Sequence, residues 1–312
     1  MLKYSLRRLA SAIPTLFLLI TVAFFLIRIA PGGPFDSERA LPAEIEANLA
    51  AKYHLDEPLI FQYGRYLWQI ARLDFGPSFH YRDWTVNDLI IQGAPVSFTL
   101  GILALAIALV VGVMVGAWAA LRQNRPADYT VMSLAMIGIS IPNFVMAPLL
   151  ILLFAITLGW LPAGGWEYTP TRMLLPVLTL ALPMIAYIAR ITRASMIEVL
   201  HSSYIRTVRA KGMPEKEVIL RHALKPALLP VISYLGPAAA AIMTGSVVVE
   251  RIFTIPGIGT YFVQGALNRD YTLVMGVVIL YGMLIILFNF VVDLLYAWLD
   301  PRIRYDDGEV GT

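Results

Sequence analysis

The sequence predicts an all-α polytopic membrane protein with six transmembrane helices. Of its 312 residues, 58% are apolar and only 14% charged, where a soluble domain carries about 25% charge. Several runs stay apolar over about 20 residues, enough to cross a hydrocarbon core of about 30 Å at 1.5 Å per residue. Net charge is only +3, so the information lies in where the charges fall.

The expected spans are 9–30, 97–121, 131–158, 173–196, 228–249 and 272–298. The first, after Met1 to Arg8, is too long for a signal-peptide core and no small-x-small site closes it, so it reads as an uncleaved span. Residues 31–96 follow on the outer side. There Pro42–Leu55 and Pro58–Leu73 each open with proline and alternate apolar and polar residues at helical spacing, which predicts short interfacial helices. Asp74-Phe75-Gly76-Pro77 predicts a turn. In the second span Gly112-x-x-x-Gly116 permits a close helix approach, within the subunit or between subunits. Pro142, Pro148, Pro176, Pro183, Pro230 and Pro237 are each expected to remove a backbone bond and kink a span. The chain thus divides into 1–96, a five-helix unit at 97–300 that includes a charged loop at 199–226, and a tail at 301–312.

Charge orients the bundle. With the N-terminus inside, the inner segments hold fifteen lysines and arginines: Lys3, Arg7, Arg8, Arg122, Arg125, Arg190, Arg193, Arg206, Arg209, Lys211, Lys216, Arg221, Lys225, Arg302 and Arg304. The outer segments hold seven: Arg39, Lys52, Arg65, Arg72, Arg82, Arg251 and Arg269. The positive-inside rule then places both termini in the cytoplasm. Trp118 and Trp298 fall near inner boundaries and Trp160 near an outer one, as interfacial belts require.

The loop at 199–226 is the densest charged stretch and reads as two short helices. Ser202 or Ser203 is placed to cap the first, with Tyr204, Ile205 and Val208 on one face. Arg209 and Lys211 fall in its last turn, where cations oppose the dipole, and Gly212 ends it. Pro214 is placed to start the second, with Glu215 and Glu217 in its opening turn and Arg221, His222 and Lys225 closing it before Pro226. A basic loop lying on anionic lipid needs no such caps and faces; a docking element does.

The stretch from Tyr204 through Ile205, Arg206, Thr207, Val208, Arg209 and Lys211 to Gly212, then Arg221, His222, Leu224 and Pro226, resembles the cytoplasmic coupling loop of binding-protein-dependent ABC importer permeases. The broad consensus of that family has Glu-Ala-Ala where this chain has Arg206-Thr207-Val208, isoleucine at His222 and proline at Lys225. The peptide-transporter branch matches closely. Ala30-Pro31-Gly32-Gly33-Pro34, Lys52-Tyr53-His54-Leu55, Glu250-Arg251-Ile252-Phe253 and Asn268-Arg269-Asp270-Tyr271 are also similar to the B-type subunits of the oligopeptide and dipeptide branch, so the resemblance covers essentially the whole chain. It implies the MetI-like type I ABC importer permease fold in a bacterial inner membrane and a peptide substrate. The implied partners are a C-type permease subunit, two ATP-binding subunits and a periplasmic or lipid-anchored peptide-binding protein. It implies no cofactor in this chain and no nucleic acid. Tyr204, Ile205 and Val208 would fill the cleft of an ATPase subunit, and Arg206 and Arg209 would pair with its acidic rim.

The chain lacks the elements of a catalyst. No Gly-Lys dipeptide occurs, hence no Walker A loop, and neither His-Glu-x-x-His nor Gly-x-Ser-x-Gly is present. Without cysteine, disulfides and thiolate metal sites are excluded. His54 and His80 are expected outside and His201 and His222 inside, too dispersed for a metal site. Arg28 and Asp293 fall inside spans and read chiefly as structural, Arg28 by snorkelling. Asp293 alone makes a poor proton relay, which disfavours a secondary transporter. Dipeptide and nickel import within the same family remain alternatives.

Overall fold

The computed structural model describes residues 2–29, 33, 44, 48 and 51–299. Expectations resting on Arg39, Pro42 and residues 300–312, and on the side chains of Lys3, Arg7, Arg8, Asp293 and Trp298, lie outside what is described.

The order of elements is α1 (Leu2–Ile29), α2 (Leu59–Ala71), α3 (Val86–Ala120), α4 (Pro126–Ser140), α5 (Asn143–Leu150) continued by a π-helical stretch (Ile151–Thr157), α6 (Pro170–Leu200), α7 (Ser203–Ala210), α8 (Leu229–Ile252), α9 (Ile258–Leu267) and α10 (Tyr271–Leu299). Among the described residues, five unbroken helices are long and apolar enough to cross a membrane, and a bent pair makes a sixth.

The spans depart from expectation at their ends, for local reasons. The second begins at Val86 rather than residue 97. Thr85 and Asp88 form a reciprocal capping box, with the Thr85 hydroxyl accepting from the Asp88 N–H at 3.2 Å and Asp88 accepting from the Thr85 N–H at 3.0 Å. Its 35 residues extend about 52 Å, well beyond a hydrocarbon core of about 30 Å. The third is not one rod: α4 and the α5 segment meet at 106°, because Pro142 cannot continue a helix and restrains Ile141 to extended backbone. α6 runs from Pro170 to Leu200, so Arg190 and Arg193 belong to a helix and not to the loop. Pro230 costs no hydrogen bond, since it occupies the first turn of α8, whereas Pro148, Pro176, Pro183 and Pro237 lie inside helices.

The central core sits between α3, α6 and α8, around Leu100, Leu180, Ile188 and Ile242. Gly112 and Gly116 face α6: a Cβ at Gly112 would lie 2.8 Å from Ile188, and one at Gly116 would strike the Ala189 carbonyl. The glycine pair thus serves packing within the subunit. A second cluster joins α1, α2, α3, α9 and α10 at one end, around Phe24, Tyr66, Val86 and Leu273. A third gathers Ala120, Met196, Ile205, Val208 and Val218 at the other.

At the α2 end, buried Asp270 ties the segment after the Asp74–Pro77 turn to the start of α10. It accepts from the Ser78 hydroxyl and from the N–H groups of Phe79 at 3.1 Å, His80 at 3.2 Å and Leu273 at 3.1 Å. The turn itself forms as expected, with Gly76 at φ +84° and its N–H on the Asp74 side chain at 2.9 Å.

Candidate docking loop and comparison with known proteins

The loop end is built from α7 and the segment that follows it. The Ser202 hydroxyl caps α7 by accepting from the Ile205 N–H at 3.3 Å. The helix closes through Lys211 N–H to the Thr207 and Val208 carbonyls, both 3.2 Å, and Gly212 follows at φ +77°. That left-handed exit is the reason glycine stands there.

Ile205 is fully buried and Val208 only 6% exposed, packed with Met196 of α6 and with Val218, Ala223 and Ala227. Each such burial stabilises by about 1.5–3 kcal/mol. The expectation that Ile205 and Val208 fill a partner's cleft is therefore corrected: they fasten α7 to its own bundle. Tyr204 lies at the edge of their stripe, 53% exposed, its hydroxyl 2.7 Å from His222 Nδ1. Leu224 packs at the rim of the same cluster.

The second segment also differs from the simple helix expected. Pro214 precedes it as N-cap, a short turn covers Glu215–Glu217, and Val218–Ala223 is π-helical. A turn at Leu224–Ala227 then leads through Leu228 directly into α8, so the segment does not stop at Pro226. Loop and span are mechanically continuous.

The loop's charges are partly spent internally. Arg209 holds Glu215 with two bonds, 2.5 and 3.1 Å. These bonds keep the Glu215 carboxyl below its usual range and raise the guanidinium. Both groups are substantially exposed, so the pair contributes less than about 1 kcal/mol. Arg221 pairs with Glu217 at 3.1 Å. Arg193 is neutralised by buried Asp128, at 2.6 Å from Nη2 to Oδ2, and joins α6 to α4 rather than adding to the basic surface. Arg206, Lys211 and Lys216 make no ion pair with described residues and stand exposed. Tyr204, Thr207 and Lys211 share one outward face at helical spacing, and Leu220 adds a 56%-exposed side chain on the second segment.

Three buried carboxyl groups among the described residues escaped sequence reading: Asp128, the Asp270 described above, and Glu250. Glu250 accepts from the Ser97 hydroxyl at 2.7 Å and the Gly259 N–H at 2.8 Å. Its signal was available: an acidic residue directly after the apolar run Val247–Val249.

The geometry is that of a bundle of apolar spans, one of them bent, with a charged loop packed on its own helices. A family model described as the inner membrane component of binding-protein-dependent transport systems matches residues 112–305, and the chain belongs to that family. It is 60% identical over 306 residues to the oligopeptide transport system permease protein OppB of Salmonella typhimurium, covering 98% of this chain and all of the relative. It is 48% identical over 304 residues to the dipeptide transport system permease protein DppB of Bacillus subtilis, covering 97% and 98%. Among solved structures, an inward-facing MetNI methionine ABC transporter chain superposes with a TM-score of 0.59 at 18% identity, over 68% of this chain and 96% of that one. An amino acid ABC transporter chain gives 0.54 at 19%, over 68% and 94%. The MetI-like permease fold is thereby established. The uncovered third of the chain leaves room for α1 and α2, which lie before the family-model match.

Proposed function

We propose that this chain is the B-type permease subunit of an ATP-driven, binding-protein-dependent oligopeptide importer. The carrying observation is the loop at 199–226. Its apolar side is locked against α6 and the end of α3, while Tyr204, Thr207, Lys211 and Leu220 face outward. Such an element moves as one body with the spans it is packed on. An ATP-binding subunit seated on the outward face transmits its closure through α7 and the π-helical stretch into α8, and the pathway between this chain and a C-type partner changes its access. A binding protein delivers peptide at the α2 end. ATP hydrolysis resides on the separate subunits, and both termini of this chain are cytoplasmic. The higher identity to oligopeptide than to dipeptide relatives favours the longer substrate class.

Two measurements test this reading. In proteoliposomes the chain alone is expected to hydrolyse no ATP and take up no peptide, both appearing only when its permease, ATPase and binding-protein partners are added. Hydrolysis by the purified lone chain refutes the assignment. The native chain has no cysteine, so single cysteines report without background. Asp83→Cys, exposed at the α2 end, is expected to react with an impermeant reagent added outside intact cells, and Ser203→Cys only after permeabilisation. The reverse pattern overturns the orientation.

A further inference from the structure

Arg28 does not snorkel into open water. It turns from the end of α1 toward α2 and lines a cavity of about 260 Å³, together with Lys52, Gln62, Arg65, Tyr66 and Thr272. Its Nε donates to Gln62 Oε1 at 3.1 Å, its Nη1 reaches Met275 Sδ at 4.0 Å, and its guanidinium lies 3.7 Å from the centre of the Phe24 ring. None of these groups carries negative charge. Arg65 is compensated by Glu57 at 2.7 Å, which also faces His54 at 3.1 Å. Arg28 and Lys52 have no described carboxylate. The Tyr66 side chain is only 7% exposed, and its buried hydroxyl has no hydrogen-bond partner among the described residues. A guanidinium in a partly apolar wall and an orphaned hydroxyl beside it are both costly unless an anion satisfies them.

The surroundings indicate which anion. Arg28 ends an apolar span, and its helix neighbours Leu26 and Ile29 are 63% and 77% exposed. α2 turns Ile60, Phe61 and Trp68 outward, each more than 60% exposed, the pattern of a helix lying in the headgroup layer. The site is peripheral, because α1 packs on α10 and α2 and stands outside the central α3–α6–α8 core. On the reading above a transported peptide would pass between this chain and its C-type partner; a lipid reaches the rim.

We propose that this cavity binds the phosphate of an anionic phospholipid, with the Arg28 guanidinium and the Tyr66 hydroxyl as donors and the acyl chains against α1 and the apolar face of α2. Arginine suits the task because its planar fork matches phosphate oxygens, and the excess of cations selects a headgroup of net negative charge.

Native mass spectrometry of the full-length chain, titrated with phosphatidylglycerol or phosphatidylcholine in neutral detergent, tests this. The parent is expected to retain phosphatidylglycerol preferentially. Arg28→Gln is expected to weaken that retention about tenfold and Tyr66→Phe about threefold. Arg122→Gln, at the opposite end, is expected to leave it unchanged. Arg28→Lys keeps the charge without the fork and is expected to fall between parent and Arg28→Gln; together with Tyr66→Phe it decides the matter if Arg28→Gln fails to fold. Excess inorganic phosphate distinguishes the sources: a lipid site keeps its phosphatidylglycerol, whereas a simple anion site releases it. Release by phosphate, equal retention of the two lipids by the parent, or parent-like retention by the Arg28→Lys and Tyr66→Phe variants overturns the proposal.

Discussion

Glu250→Ala is expected to remove most of the folded chain from detergent extracts and to lower the apparent melting temperature of what remains. The Glu250 side chain is fully buried at the end of α8. It accepts from the Ser97 hydroxyl of α3 at 2.7 Å and from the N–H groups of Gly259 and Thr260, at 2.8 and 3.3 Å, in the first turn of α9. Ser97 in turn accepts from the Ile258 N–H at 2.9 Å. One carboxyl group thus satisfies the open N-terminus of α9 and fastens it to α3 and α8, where backbone donors have no helical partner and a negative group suits the dipole. Alanine strands these donors in a site with little access to water, at about 1–3 kcal/mol each, and adds the cavity of the lost side chain. A total of about 4 kcal/mol is comparable to the stability of a marginal domain. Glu250→Gln keeps one acceptor but turns an amide N–H₂ toward donors, so it is expected to fall between the two. Fluorescence-detected gel filtration after graded heating measures the series. A Glu250→Ala chain as abundant and heat-resistant as the parent would show that the network is not needed to hold α9.

The contrast between Glu250 and the loop shows how far sequence carries. Spans were legible because their apolar runs exceed what a soluble helix needs, and the Ser202 cap and Gly212 exit because capping chemistry is local. The 106° break at Ile141–Pro142 was legible as a kink but not in size, since proline removes a bond without fixing an angle. The start of α3 was misplaced because hydropathy cannot see a capped helix extending beyond the apolar core. Side-chain destinations were the least legible. Asp128–Arg193, Ser97–Glu250 and Ser78–Asp270 join residues 65, 153 and 192 positions apart, and no local pattern pairs them. The face of Ile205 and Val208 was read correctly as apolar, but whether a partner or the chain itself covers it depends on the tertiary fold. The functional class came from resemblance to a family, which the comparisons bear out.

Gly212→Val is expected to leave membrane insertion and binding-protein docking intact while peptide uptake falls about tenfold and ATP hydrolysis loses its stimulation by loaded binding protein. A Cβ at Gly212 would meet nothing within 4 Å among the described residues, so crowding is not the cause. The cause is the backbone: φ of +77° costs an ordinary L-residue roughly 1–2 kcal/mol and a β-branched one more, which displaces the loop's conformational equilibrium about tenfold. Ile205 and Val208 keep α7 seated on Met196, so the strain is expected to appear in the turn between α7 and the π-helical stretch, where motion must pass toward α8. Gly212→Asn, which visits the left-handed region readily, is expected to retain most activity. Arg209 adds a discriminating arm because Glu215 already engages it at 2.5 Å. If its role is to strap the turn, Arg209→Glu loses coupling and the swap Arg209→Glu with Glu215→Arg restores it. If its role is to dock, only a reversed charge on the ATPase subunit restores it. Uptake and stimulated hydrolysis equal to the parent in both Gly212→Val and Arg209→Glu would reduce the loop to a basic segment lying on lipid and would sink the coupling assignment.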